Sequence, residues 1–226
     1  MVSNDLRFKR FGEKAILVEW PDKVDDDVLD EIIQFIRAFE TAEKGEICNY
    51  ASGYNSVLID YKETIDFDSK CRRLVHLYKN QRSLNTHNST TWKIPVCYDE
   101  EFGPDLSLFV EKGMTVKEVV DLHTANPFRV YMIGFLPGFL YLGGLPEELY
   151  LPRKSQPRQS VAKGSIAIGG KQTGIYPNKS PGGWQIIGRT PVTLFDMQKS
   201  PPISIRQGDY VQFQAIEKSE FQKLRL

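Results

Sequence analysis

Cysteine and histidine are scarce in this chain, and neither sign of charge is in excess. Cys48, Cys71 and Cys97 are odd in number and far apart, and each lies in a β or helical pattern. That excludes a disulfide framework and predicts buried free thiols. His76, His87 and His123 are scattered, without the close spacing that a metal site draws from a short segment. The 29 basic and 29 acidic residues cancel, so no global field recruits nucleic acid or an anionic membrane surface, and neither is expected as a partner. No apolar run approaches the ~20 residues that a spanning helix requires. The opening MVSNDLRFKRFGEKAILVEW lacks the apolar segment and cleavage site of a signal peptide, which makes a cytoplasmic address the expectation. There is no G-x-S-x-G elbow, no paired-carboxylate pattern and no internal repeat.

What is present divides in two. Leu6–Phe11 and Ala15–Trp20 alternate as a hairpin about Gly12-Glu13, and the acidic Asp25-Asp26-Asp27 then opens a helix striped by Val28, Leu29, Ile32, Ile33, Ile36 and Phe39. A second strand pair, Ile47–Ala51 with Ser56–Tyr61, precedes a helix carrying Phe67, Cys71, Leu74, Val75 and Tyr78. The order ββαββα predicts a small α+β domain over residues 1–85, two helices on one face of an antiparallel sheet. Asn80–Thr91 loses all periodicity and reads as a linker. Residues 90–226 then carry many short strands and few helices, which predicts a barrel or sandwich. Here Thr115-Val116-Lys117-Glu118 is a capping box, and Ile203–Ile205 with Tyr210–Ile216 reads as a closing hairpin about Gly208-Asp209.

Val130–Pro191 is the stretch the rest is organised around. It gathers most of the glycines and prolines, interleaved with aromatic and basic residues and short β-prone runs. Such a mixture specifies shaped loops on a rigid scaffold, where binding and chemistry usually sit. Gly164–Gly174 invites comparison with a phosphate loop, but Ser165 stands where a Walker loop needs glycine and Gln172 where it needs a hydroxyl, leaving a strand and a turn. Arg153, Arg158 and Arg189, with Lys171 and Lys179, are cations fixed among prolines and glycines, suited to a carboxylate or phosphate. Ser180–Trp184 is a rigid turn ending in a large ring. His123 falls on an apolar helical face, the setting of a core histidine, although its titration range keeps acid–base work open. The residues alone define a binding surface for a small polar or anionic group on a β-rich domain.

Three motifs go further. GFLPGFLYLGGLP, the paired Pro152-Arg153 and Pro157-Arg158, and GSIAIGGKQTGIYP followed by SPGGWQIIGRTP closely resemble the B subunit of the bacterial ATP-dependent 5-oxoprolinase. That family also contains the inhibitor of a sporulation sensor histidine kinase and is related to the first half of the carboxyltransferase region of urea carboxylase. The resemblance implies a small N-terminal α+β domain followed by a C-terminal cyclophilin-like β-barrel. It implies work with a homologous C subunit, and with an A subunit, in the ATP-dependent opening of 5-oxo-L-proline to L-glutamate. ATP would serve as co-substrate with Mg, and this chain would have no turnover alone. The alternative it carries is inhibition of a sensor histidine kinase. One departure is visible: Val161-Ala162-Lys163-Gly164 stands where the family has V-P-A-G. Arg189 and Gln172, expected side by side at the barrel mouth, and His123 are the candidate catalytic residues. Arg153, Arg158, Thr173, Tyr176, Ser180 and Trp184 are the candidate substrate contacts.

Overall fold

Alternation in the first sixty residues builds a four-stranded antiparallel sheet. The computed structural model describes residues 6–23, 25–80 and 89–224, which fall into two compact units, Met1–Asn88 and Ser89–Leu226. In the first, β1 (Arg7–Phe11), β2 (Ala15–Glu19), β3 (Ile47–Ser52) and β4 (Ser56–Tyr61) are ordered β1-β2-β4-β3. Ile16, Val18, Val57 and Ile59 turn one face inward at period two, and α1 (Asp26–Ala42) and α2 (Phe67–Asn80) contribute to the same core. Helix α1 starts where Asp25 accepts a hydrogen bond from Val28 N at 2.9 Å. Just past its end Glu43 is 1% exposed, and the Tyr61 hydroxyl (3.0 Å) and Arg73 Nε (2.6 Å) donate to it. The unit thus has the ββαββα order that the pattern predicts. Of the stretch read as a linker, residues 81–88 lie outside the described residues.

The second unit is a nearly closed barrel. β5 (Thr91–Val96), β6 (Phe128–Ile133), β7 (Leu140–Gly143), β9 (Ser165–Gly169), β10 (Gln172–Ile175), β12 (Gln185–Arg189) and β13 (Tyr210–Ala215) run in the order β12-β9-β10-β7-β6-β13-β5. The edges meet where Cys97 and Arg189 exchange backbone hydrogen bonds of 2.9 and 3.0 Å. Gly188 permits this approach, since a Cβ there would lie 2.9 Å from Val96 and 3.0 Å from the Cys97 carbonyl. β8 (Arg158–Val161) and β11 (Ser180–Gly182) form a separate ribbon. Helices α3 (Ser107–Val110) and α4 (Val116–Ala125) contribute Phe109 and Val119 to the barrel core, and α4 opens with the expected Thr115/Glu118 capping box.

Two expectations are corrected by the structure. Ile203–Ile205 is not a strand, so β13 has no hairpin partner there; it pairs parallel with β5 and antiparallel with β6. The chain then ends in α5 (Lys218–Leu224), anchored by buried Phe221. Of the cysteines only Cys97 is buried, while Cys71 is half-buried and Cys48 exposed; β3 is an edge strand, with one face open to solvent.

Candidate functional site

Period two gives each barrel strand two faces. Ile166 and Ile168 of β9, Ile175 of β10, Leu140 and Leu142 of β7 and Ile187 of β12 enter the main core. The alternate residues Ala167, Tyr141 and Ile186 join Phe139, Val161, Tyr176 and Trp184 in a smaller cluster on the outer face. Glycines make room for its large rings. A Cβ on Gly169 would lie 2.5 Å from the Trp184 indole, and one on Gly182 would lie 2.3 Å from the Tyr176 hydroxyl. Phe139 meets Trp184 and Tyr176 edge-on at centroid distances of 5.5 and 4.9 Å.

A pocket of about 320 Å³ opens over this cluster, walled by Phe135, Phe139, Tyr141, Tyr176 and Trp184 and by the loop carrying Arg153, Lys154 and Pro157. Burial raises the phenol pKa of Tyr176 and of Tyr141, with Arg153 pulling both the other way. Both rings are therefore neutral donors at physiological pH. Arg153 is exposed, its guanidinium 5.5 Å from the Trp184 ring centroid. Arg158 and Lys154 are tied instead to Asp105, whose carboxylate takes Arg158 Nη2 at 2.7 Å, Ile186 N at 2.6 Å and Lys154 Nζ at 3.5 Å. Asp105 is 6% exposed, so the clamp is shielded from solvent and fixes the loop to β12. Among the described residues no three His, Cys, Asp or Glu side chains form a metal-binding group.

The remaining candidates lie elsewhere. His123 is fully buried against Phe213, ring centroids 4.7 Å apart and nearly parallel. Its Nε2 is 2.9 Å from Thr173 Oγ1, and that hydroxyl donates to the Ala167 carbonyl at 3.1 Å. The hydroxyl proton being so committed, Thr173 accepts from Nε2–H, and the Tyr98 hydroxyl donates to Nδ1 at 2.7 Å. Burial lowers the His123 pKa to about 3, so the ring is a neutral core group without access to solvent. Thr173 belongs to the same relay, inside the barrel rather than in the pocket.

Arg189 and Gln172 are not neighbours. Register pairs Arg189 with Ser165 and Gln172 with Gly169, at opposite ends of β9, roughly 13 Å apart at the usual strand rise. The turn read within Gly164–Gly174 falls at Gly170-Lys171, and Thr173-Gly174 belong to β10. Arg189 Nε donates to the Lys163 carbonyl at 2.8 Å, holding the loop between β8 and β9. Ser180 is buried in β11 with its hydroxyl on the Pro181 carbonyl.

Of the candidate residues, Arg153, Tyr176 and Trp184 line the pocket and Arg158 belongs to its clamp. Phe139, Tyr141 and Lys154, which also lie in the glycine-rich stretch, were not among the candidates, and neither was Asp105.

Residues 6–205 match the family model of the carboxyltransferase domain, subdomain C and D. A 5-oxoprolinase B subunit of Bacillus subtilis is 48% identical over 130 residues, which are 57% of this chain and 54% of that protein. The match therefore spans about half the length of that relative. A 5-oxoprolinase B subunit of Haemophilus influenzae is 37% identical over 203 residues, covering 89% of this chain and 94% of that protein. Among solved structures, Kluyveromyces lactis urea carboxylase superposes with a TM-score of 0.76 at 20% identity, over 96% of this chain and 22% of that one, a likeness of fold.

Proposed function

The chain belongs to the carboxyltransferase subdomain C and D family, and on that premise we propose that it acts as the B subunit of an ATP-dependent 5-oxoprolinase. The observation that carries this is the match to the Haemophilus influenzae B subunit over 94% of that protein's length. In this role the chain works with homologous C and further A subunits, in the cytoplasm, and has no turnover alone.

The chemistry explains why such a component is needed. A lactam carbonyl is a poor electrophile. Transfer of the γ-phosphoryl of magnesium-bound ATP to the lactam oxygen releases ADP and activates the ring carbon. Water then adds to that carbon, the C–N bond breaks with the nitrogen taking a proton, and a second water releases phosphate from the resulting acyl phosphate to leave L-glutamate. This chain carries no Walker loop, so nucleotide binding is assigned to the assembly. What it supplies is a rigid aromatic pocket with an arginine at its rim, which can orient a small ring and exclude water.

The test is to purify the chain with its partner A and C subunits and assay ATP hydrolysis with and without 5-oxo-L-proline. Strict dependence on 5-oxo-L-proline and on this chain supports the reading. An assembly without that dependence, together with tight binding of this chain to a histidine kinase dimerisation domain, would replace it with the regulatory alternative.

A further inference from the structure

Three cations, Arg153 and Lys154 on the loop before β8 and Arg158 at the start of β8, stand beside the aromatic pocket, and they are not equivalent. The buried Asp105 carboxylate holds Arg158 at 2.7 Å and Lys154 at 3.5 Å. Lys154 is also 3.5 Å from the Gln185 side-chain oxygen, and its backbone amide donates to the Gly183 carbonyl at 2.7 Å. Arg153 has no carboxylate partner among the described residues. It lies over Trp184 within the roughly 6 Å of a cation–π contact, a placement that orients a guanidinium without consuming its donors.

We infer that this pocket is a single-carboxylate site for a small ring acid, with Arg153 pairing the carboxylate and Asp105 withholding the two neighbouring cations. The identity of the acid as 5-oxo-L-proline rests on the function proposed above.

Three features fit such a ligand. The volume, about 320 Å³, stands at the bottom of the roughly 300–1,000 Å³ range of small-molecule pockets. The walls are aromatic, suited to a compact ring, and one available guanidinium matches one carboxylate through its planar fork. A triphosphate carries several charges and would call for the cations that Asp105 keeps occupied, so the pocket is not built to seat a triphosphate chain. At its lip Phe135 is 64% exposed and held at φ 64°. That left-handed conformation is disfavoured for a bulky residue, and such strain clusters at ligand sites.

The test uses this chain assembled with its partner subunits. Arg153→Ala is expected to raise KM for 5-oxo-L-proline by roughly tenfold to a hundredfold, the loss of one charge-assisted contact. KM for ATP is unchanged, kcat is little changed, and Arg153→Lys recovers part of the loss. In Asp105→Asn, with folding checked by circular dichroism, inorganic pyrophosphate becomes a competitive inhibitor against 5-oxo-L-proline, which it is not in the wild type. An unchanged KM in Arg153→Ala overturns the inference, as does competition by pyrophosphate in the wild type. Should the assembly not turn over 5-oxo-L-proline at all, the proposed function fails, and calorimetry with L-proline and L-prolinamide decides the pocket separately. Arg153-dependent binding of the acid but not the amide sustains the site; equal binding of both, or of neither, overturns it.

Discussion

His123 shows how a residue's type can suggest chemistry that its surroundings remove. Tyr98, His123, Thr173 and the Ala167 carbonyl form a relay in which every buried donor meets an acceptor. The folded pKa, about 3, lies below the ordinary value of 6.5, so the unfolded chain takes up the proton first. The stability this group confers is therefore fully present above about pH 6.5 and is lost as pH falls toward 3, at up to about 1.4 kcal/mol per pH unit. His123→Gln is expected to cost about 1–3 kcal/mol at pH 7 and to flatten the fall in stability between pH 6.5 and 5, measured by denaturant unfolding at a series of pH values. A variant as steep as the wild type would show that another group sets that slope. At this scale the sequence disclosed the residues whose type is unusual for their place, such as Trp184 after two glycines or Arg153 between a proline and a lysine. It could not disclose Asp105, because what distinguishes that carboxylate is a partner 53 residues away, and no local pattern encodes the pairing.

Strands and helices followed from local periodicity wherever their partners were local. The hairpins β1/β2 and β9/β10 and the capping box of α4 all rest on contacts within a few residues. β13 marks the limit. Gly208-Asp209 does turn the chain, with Gly208 at φ 88°, but the strand beyond it runs parallel to β5, more than a hundred residues earlier. Parallel pairing leaves no turn signature in sequence. Asp209 fixes it: its carboxylate, 3% exposed, accepts from Thr90 N, Trp92 Nε1 and Arg206 N at 2.9–3.0 Å. Asp209→Asn removes the charge and offers one acceptor oxygen for three donors, so a loss of about 1–3 kcal/mol is expected from urea denaturation. A change below about 0.5 kcal/mol, the range of an ordinary surface substitution, would show that the β5–β13 pairing stands without it.

For the molecule as a whole, periodicity is lost between Asn80 and Thr91, and the chain divides into the compact units Met1–Asn88 and Ser89–Leu226. We propose that the two are independently folding domains. Brief proteolysis should then cut between Asn80 and Thr91 and leave two resistant fragments; cleavage confined to the glycine-rich loops, with no stable C-terminal piece, would count against it. The location of the pocket was not legible at this scale. The barrel mouth was the natural guess for loops rich in glycine, yet His123 and Val119 of α4 are buried in the interior and the open pocket lies on the outer face. We propose that this chain is an obligatory subunit of a 5-oxoprolinase. This claim is tested most directly by reconstituting the assembly with and without the chain and measuring L-glutamate and phosphate formed from 5-oxo-L-proline and ATP. Equimolar L-glutamate and phosphate are expected from the complete assembly, with neither formed when this chain is omitted or supplied alone. Undiminished L-glutamate formation in its absence would contradict that claim.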